Sequence, residues 1–107
     1  MNLKRNKIDF GFAEFSLIFT DKPFRDEKGH ELFGYVDFDK YEIKIYKSED
    51  QEILKETYLH EIIHVILYMF NHGEDPVKTV NEDLTNSITR GLRLLSKLNE
   101  NLIEELL

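Results

Sequence analysis

The chain has no cysteine among its 107 residues. Disulfides and cysteine-ligated zinc fingers are therefore excluded, and any metal has to be held by His, Asp and Glu. A basic stripe is missing too. The formal net charge is −7, with the acidic residues scattered along the sequence, so nucleic-acid binding through phosphate neutralisation is not expected. No stretch reaches the roughly 18 uncharged apolar residues of a membrane span. Lys4, Arg5 and Lys7 precede an apolar stretch in the manner of a secretion signal, but Asp9 and Glu14 interrupt it and no small-residue cleavage site follows. Internal repeats and low-complexity linkers are also lacking. The expectation is an intracellular, cytoplasmic, soluble protein. A chain of this length with 41% hydrophobic residues suits one domain around one modest core.

The first half alternates with the period of strands. Phe15, Leu17 and Phe19 alternate with Ser16, Ile18 and Thr20, and Asp21-Lys22-Pro23 breaks the run. The stretch through Lys28-Gly29 reads as loop. Leu32 to Phe38 and Tyr41 to Tyr46 form a second pair of runs, with Tyr41, Ile43 and Ile45 expected on one face and Glu42, Lys44 and Tyr46 on the other. Asp39-Lys40 between them suggests a tight hairpin without the usual glycine. These patterns predict an antiparallel sheet of three to four strands over about residues 5–46.

The second half is helical. Ser48-Glu49-Asp50-Gln51 has the form of a capping box, with Ser48 as N-cap and Gln51 reaching back. The helix should cover about residues 49–71 and stop at Asn71-His72-Gly73, where glycine can take the left-handed cap. Ile62 to Phe70 is apolar nearly all round apart from His64, which marks the buried centre of the fold. A second helix over about residues 77–106 is signalled by Pro76 and by Thr79-x-x-Glu82. Its apolar stripe reads Val77, Val80, Leu84, Ile88, Gly91, Leu95, Leu98, Leu102 and Leu106. The fold class is α+β: sheet, central helix, then C-terminal helix.

Inside the central helix stands His60-Glu61-Ile62-Ile63-His64, an H-E-x-x-H motif. Residues four apart share a helix face, so the two imidazoles can aim at one point, as two zinc ligands do. Glu61 lies about 100° further round, where it can reach a metal-bound water as general base without ligating. The motif arises by chance in roughly a few chains per thousand of this length. Two helix histidines satisfied by protein or water are the plain alternative. The apolar surroundings argue for a metal, because burying such groups unpaired costs on the order of a few kcal/mol.

Zinc needs a third protein ligand and an open position. The pattern H-E-x-x-H-x-x-G-x-x-H is excluded, because Leu67 and Phe70 stand where its glycine and third histidine would fall. A carboxylate from the following helix is the alternative. Asn81-Glu82-Asp83-Leu84-Thr85-Asn86 resembles the N-E-x-x-S-D signature of the gluzincins, in which the glutamate ligates zinc. Glu82 matches that position. Asn86 stands where those enzymes carry an Asp that orients a ligand histidine from behind the metal; it accepts a hydrogen bond but brings no charge. On an ideal helix Glu82 points away from the Val80–Leu84–Ile88 stripe, so Asp83, Glu74, Asp75 and His72 stay open as alternatives.

The whole chain resembles the small zincin-fold metallopeptidases of phages and mobile elements, related to the ImmA/IrrE-type proteins. The resemblance is carried by Gly34-Tyr35-Val36-Asp37, Ile43-Lys44-Ile45, Glu56-Thr57-x-Leu59-His60-Glu61-x-x-His64, and Glu82 with Arg90-Gly91-Leu92. It implies a minimal zincin-like fold with zinc on His60, His64 and Glu82, Glu61 as base, and an intracellular protein as peptide substrate. Tyr58, Tyr68 and His72 are in reach to assist an oxyanion, though each tyrosine reads first as a core or rim aromatic. His30 reads as solvated. The contrasting expectation is a zinc-binding module that docks a protein partner without cleaving it. Neither nucleic acid nor a membrane is an expected partner, and the oligomeric state is open.

Overall fold

The computed structural model describes residues 4–70 and 82–106, with the backbone alone for 82–87 and 89. The strands are β1 (Lys7–Asp9), β2 (Glu14–Thr20), β3 (Phe24–Arg25), β4 (Glu31–Leu32), β5 (Gly34–Asp37) and β6 (Glu42–Tyr46). The helices are α1 (Gln51–Phe70), α2 (Glu82–Leu98) and α3 (Leu102–Leu106). The α+β class is as expected: a four-stranded sheet ordered β1-β2-β6-β5 packs against α1, and α2 and α3 pack on α1.

Alternation places the core. Phe15 and Leu17 of β2 and Ile43 and Ile45 of β6 are buried, and they meet Leu54, Tyr58, Ile62, Val65 and Ile66 of α1. That α1 stripe recurs every three to four residues, as a helix lying on a sheet requires. Ile8 and Phe10 extend the core at one edge; Leu95, Leu102 and Leu106 close it from the C-terminal side. Phe15 is the aromatic hub, edge-to-face with Phe10, Phe38 and Tyr41.

Several details differ from expectation. The sheet is mixed: β1–β2 and β5–β6 are antiparallel, but β2 and β6 run parallel. After β2 the chain crosses to the far edge, forms β5, and turns back so that β6 fills the centre. The expected loop after Pro23 contains a small hairpin, β3–β4, and Phe33 separates β4 from β5. The turn between β5 and β6 takes four residues, 38–41. Asp37 Oδ1 accepts from the amides of Asp39 and Lys40, and Tyr41 adopts a left-handed φ of 54°. Tyr41 therefore leaves the strand and is exposed rather than in line with Ile43 and Ile45.

The N-cap of α1 is Asp50, not Ser48. Asp50 Oδ1 accepts from the amides of Glu52 and Ile53, at 3.0 and 3.4 Å, while Ser48 Oγ accepts from the amide of Asp50 itself. A carboxylate at this place also favours the helix dipole, so Asp wins over Ser two residues earlier. The expected stop at Gly73 and the start at Pro76 or Thr79 lie outside the described residues.

The single C-terminal helix expected over 77–106 is two. Asn99 leaves the helical run because its side chain serves the sheet edge: Oδ1 accepts from the amide of Asp9, and Nδ2 donates to the carbonyls of Asp9 and Leu95. Asn101 then takes a left-handed φ of 63°, which Asn tolerates better than most residues. Leu98, on the expected stripe, is exposed by this break. Arg5 ties the N-terminal strand region to α3. Its Nε donates to Glu105 at 2.9 Å, and its Nη2 donates to the carbonyl of Glu100.

Helices α1 and α2 meet at Gly91. A Cβ there would lie within 3.0 Å of three side-chain carbons of Ile66. Intrinsic helix propensity alone favours Gly91→Ala by about 1 kcal/mol, whereas overpacking costs about 1–3 kcal/mol. We expect the overlap to dominate and the variant to unfold at lower urea concentration. A midpoint above wild type would show that the helices can move apart freely.

Candidate metal centre

Helical periodicity brings the motif together as its spacing requires. His60 and His64 are one turn apart on α1, with Nε2 atoms 3.0 Å from each other and ring planes at 77°. One ligand atom from each of His60, Glu61 and His64 falls within 4.8 Å of the others, a group that could hold a metal ion. Two nitrogens bound tetrahedrally at zinc–nitrogen lengths stand about 3.3 Å apart. A few tenths of an ångström therefore separate the observed spacing from a ligating one. The same 3.0 Å also suits a hydrogen bond between the two rings in suitable tautomers.

His60 is exposed, His64 is half-buried, and Glu61 is only 4% exposed. Among the described residues nothing donates a hydrogen bond to the Glu61 carboxylate. Burial pushes its pKa above the ordinary 4.5, and His60 works in the opposite direction. A buried carboxyl with a raised pKa, beside two converging imidazoles in a cleft, marks a candidate functional site.

The group lies in a cleft of about 650 Å³ between α1 and the β4–β5 segment. Its floor is Thr57, His60, Glu61 and His64; its opposite wall runs from Glu31 to Val36. Strand β5 is the edge of the four-stranded sheet, so a strand edge borders the cleft. Gly34 makes this approach possible. A Cβ on it would stand 2.9 Å from Thr57 Cγ2 and 3.2 Å from Glu61 Cγ, so any side chain there pushes the Glu61 turn of α1 away from the sheet. A glycine inside a strand is a sequence signal for such close approach.

The side chains of Glu82, Asp83 and Asn86 lie outside the described residues, although Glu82 begins the described part of α2. His72, Glu74 and Asp75 lie outside them as well. Tyr58 does not face the cleft: it is buried in the core, edge-to-face with Phe19. Its phenol is pushed up by burial first and by Glu105 second. Tyr68 stacks on Phe38 with ring centroids 4.1 Å apart. His30 is exposed, with Nδ1 3.4 Å from Asp26. No protein-family profile, curated protein or solved structure matches the chain. Among the described residues no helix is long and apolar enough to cross a membrane.

The raised pKa of Glu61 has a sign that can be checked in metal-free protein. Well below pH 4.5 the carboxyl is protonated both folded and unfolded, and its ionisation costs nothing. As pH rises above 4.5 the unfolded chain ionises first, so the Glu61 contribution falls until the folded group also ionises. Glu61→Gln cannot ionise. In the presence of chelator its melting temperature should gain on wild type as pH rises from about 4 to 7. A constant gap across that range would contradict the assigned burial.

Proposed function

We propose that this chain is a zinc-dependent metallopeptidase hydrolysing peptide bonds of an intracellular, cytoplasmic protein, with a minimal zincin-like architecture. The observation that carries the reading is the buried Glu61 carboxyl, with no hydrogen-bond donor among the described residues, beside two imidazole nitrogens 3.0 Å apart, in a cleft edged by a strand. His60 and His64 supply two neutral nitrogen ligands. Glu82 of the C-terminal segment supplies the third, and Asn86 orients a ligand histidine through a hydrogen bond. When bound, zinc supplies a Lewis acid that brings the pKa of water toward ~7 and polarises a carbonyl.

The chain's own residues do the rest. Glu61 accepts a proton from the attacking water and returns it to the leaving amine. Its burial favours the protonated carboxylic acid relative to an exposed carboxylate, which suits the second transfer. An extended substrate adds its backbone to the open edge of β5, which aligns a peptide carbonyl along the cleft. The closely packed Gly34 contact keeps Glu61 at the depth of that strand.

Purified protein loaded with zinc and desalted should carry one zinc per chain by elemental analysis, and His60→Ala or His64→Ala should lose it. Glu61→Gln should keep the metal yet lower kcat/KM for a cleaved protein or peptide by about 100-fold or more. Zinc retained with no hydrolysis of any substrate would favour the non-catalytic partner-docking module. Absence of zinc after loading would favour two histidines bonded to each other and end the metal reading.

A further inference from the structure

The cleft has a marked chemical asymmetry. Among the described residues that line it, each formally charged side chain is acidic: Glu31, Glu56 and Glu61. Glu61 is buried on the floor, but Glu31 on β4 and Glu56 on α1 are exposed. Neither is held in an ion pair among the described residues. Arg25, the register partner of Glu31, donates instead to the carbonyl of Gly29. The same cleft is also lined by apolar residues: Leu32 and Phe33, 36% and 37% exposed, and half-buried Ile53 on α1.

From this arrangement we infer that the cleft selects an extended peptide carrying a lysine or arginine close to the bond it presents to His60 and His64. A long cationic side chain matches both features, with its methylene stem on the apolar lining and its charged head toward the acidic side chains of the cleft. A purely apolar side chain would leave two carboxylates facing it, and an acidic one would be repelled. Position follows from helix geometry. Glu56 precedes His60 by four residues, about 6 Å along α1. An extended peptide covers that distance in one to two residues at about 3.3 Å each. The cationic residue therefore lies one or two places from the reacting carbonyl. This inference rests on the peptide-binding reading of the same cleft but not on hydrolysis.

The test uses dye-labelled decapeptides of fixed neutral sequence in which each position in turn is Lys, Gln or Glu. Their binding to zinc-loaded Glu61→Gln protein is read by fluorescence anisotropy, and their cleavage by zinc-loaded wild type by mass spectrometry. The expected result is one favoured position at which Lys binds about fivefold more tightly than Glu, from two solvent-exposed ion pairs, with the advantage shrinking as salt rises. Glu56→Lys should reverse the order at that position while leaving zinc content unchanged. A Lys preference in binding with no cleavage by wild type would keep the inference and reject the peptidase reading. Equal binding or cleavage of Lys and Glu peptides at all positions, or an order unaffected by Glu56→Lys, overturns the inference even where hydrolysis is efficient.

Discussion

Helix α1 meets the sheet over Gly34, and the missing side chain there fixes how deeply the motif turn sits. Thr57 and Glu61, one turn apart on α1, both approach that glycine. The same helix buries Leu54, Ile62, Val65 and Ile66 in the core. The core therefore locks the rotation of α1, and that rotation aims His60 and His64 into the cleft. Site geometry and fold stability are two results of one packing contact. Gly91 sets the opposite side of α1 in the same way, by letting α2 approach Ile66.

This coupling explains why polar groups survive on a largely apolar helix. An exposed carboxylate costs little, but burial to 4% exposure raises the Glu61 pKa, and no hydrogen-bond donor among the described residues offsets it. Natural folds retain such groups at functional sites, where a ligand or reaction uses them. Two imidazoles at 3.0 Å can relieve each other by sharing a proton, but the carboxyl has no equivalent relief among the described residues. A cation held by the two histidines would also favour the Glu61 carboxylate, which is the physical basis of the metal reading.

Local relations were legible in the sequence, because helix and strand periods fix them. His60, Glu61 and His64 are local on one helix, so spacing alone determines their relation. The alternation of Phe15, Leu17, Ile43 and Ile45 likewise reports the buried face directly. The parallel pairing of β2 with β6 was hidden because it depends on where the intervening β5 inserts, a long-range choice that no local pattern encodes. The helix break at Asn99 was hidden for a different reason. Leu95, Leu98 and Leu102 continue the apolar stripe through it, and the cause is a contact with Asp9 some ninety residues away. Ser48 and Asp50 are both good caps, and only the realised hydrogen bonds choose between them. The cleft walls, Glu31 to Val36, were invisible as a unit because their proximity to α1 is tertiary.

An anomalous-scattering map collected at the zinc absorption edge, from crystals of zinc-loaded protein, tests the account most directly. A single strong peak between the Nε2 atoms of His60 and His64, with a carboxylate oxygen of the C-terminal segment as the third protein ligand, is the predicted result. A map without that peak, with the two rings hydrogen-bonded to each other, would contradict it.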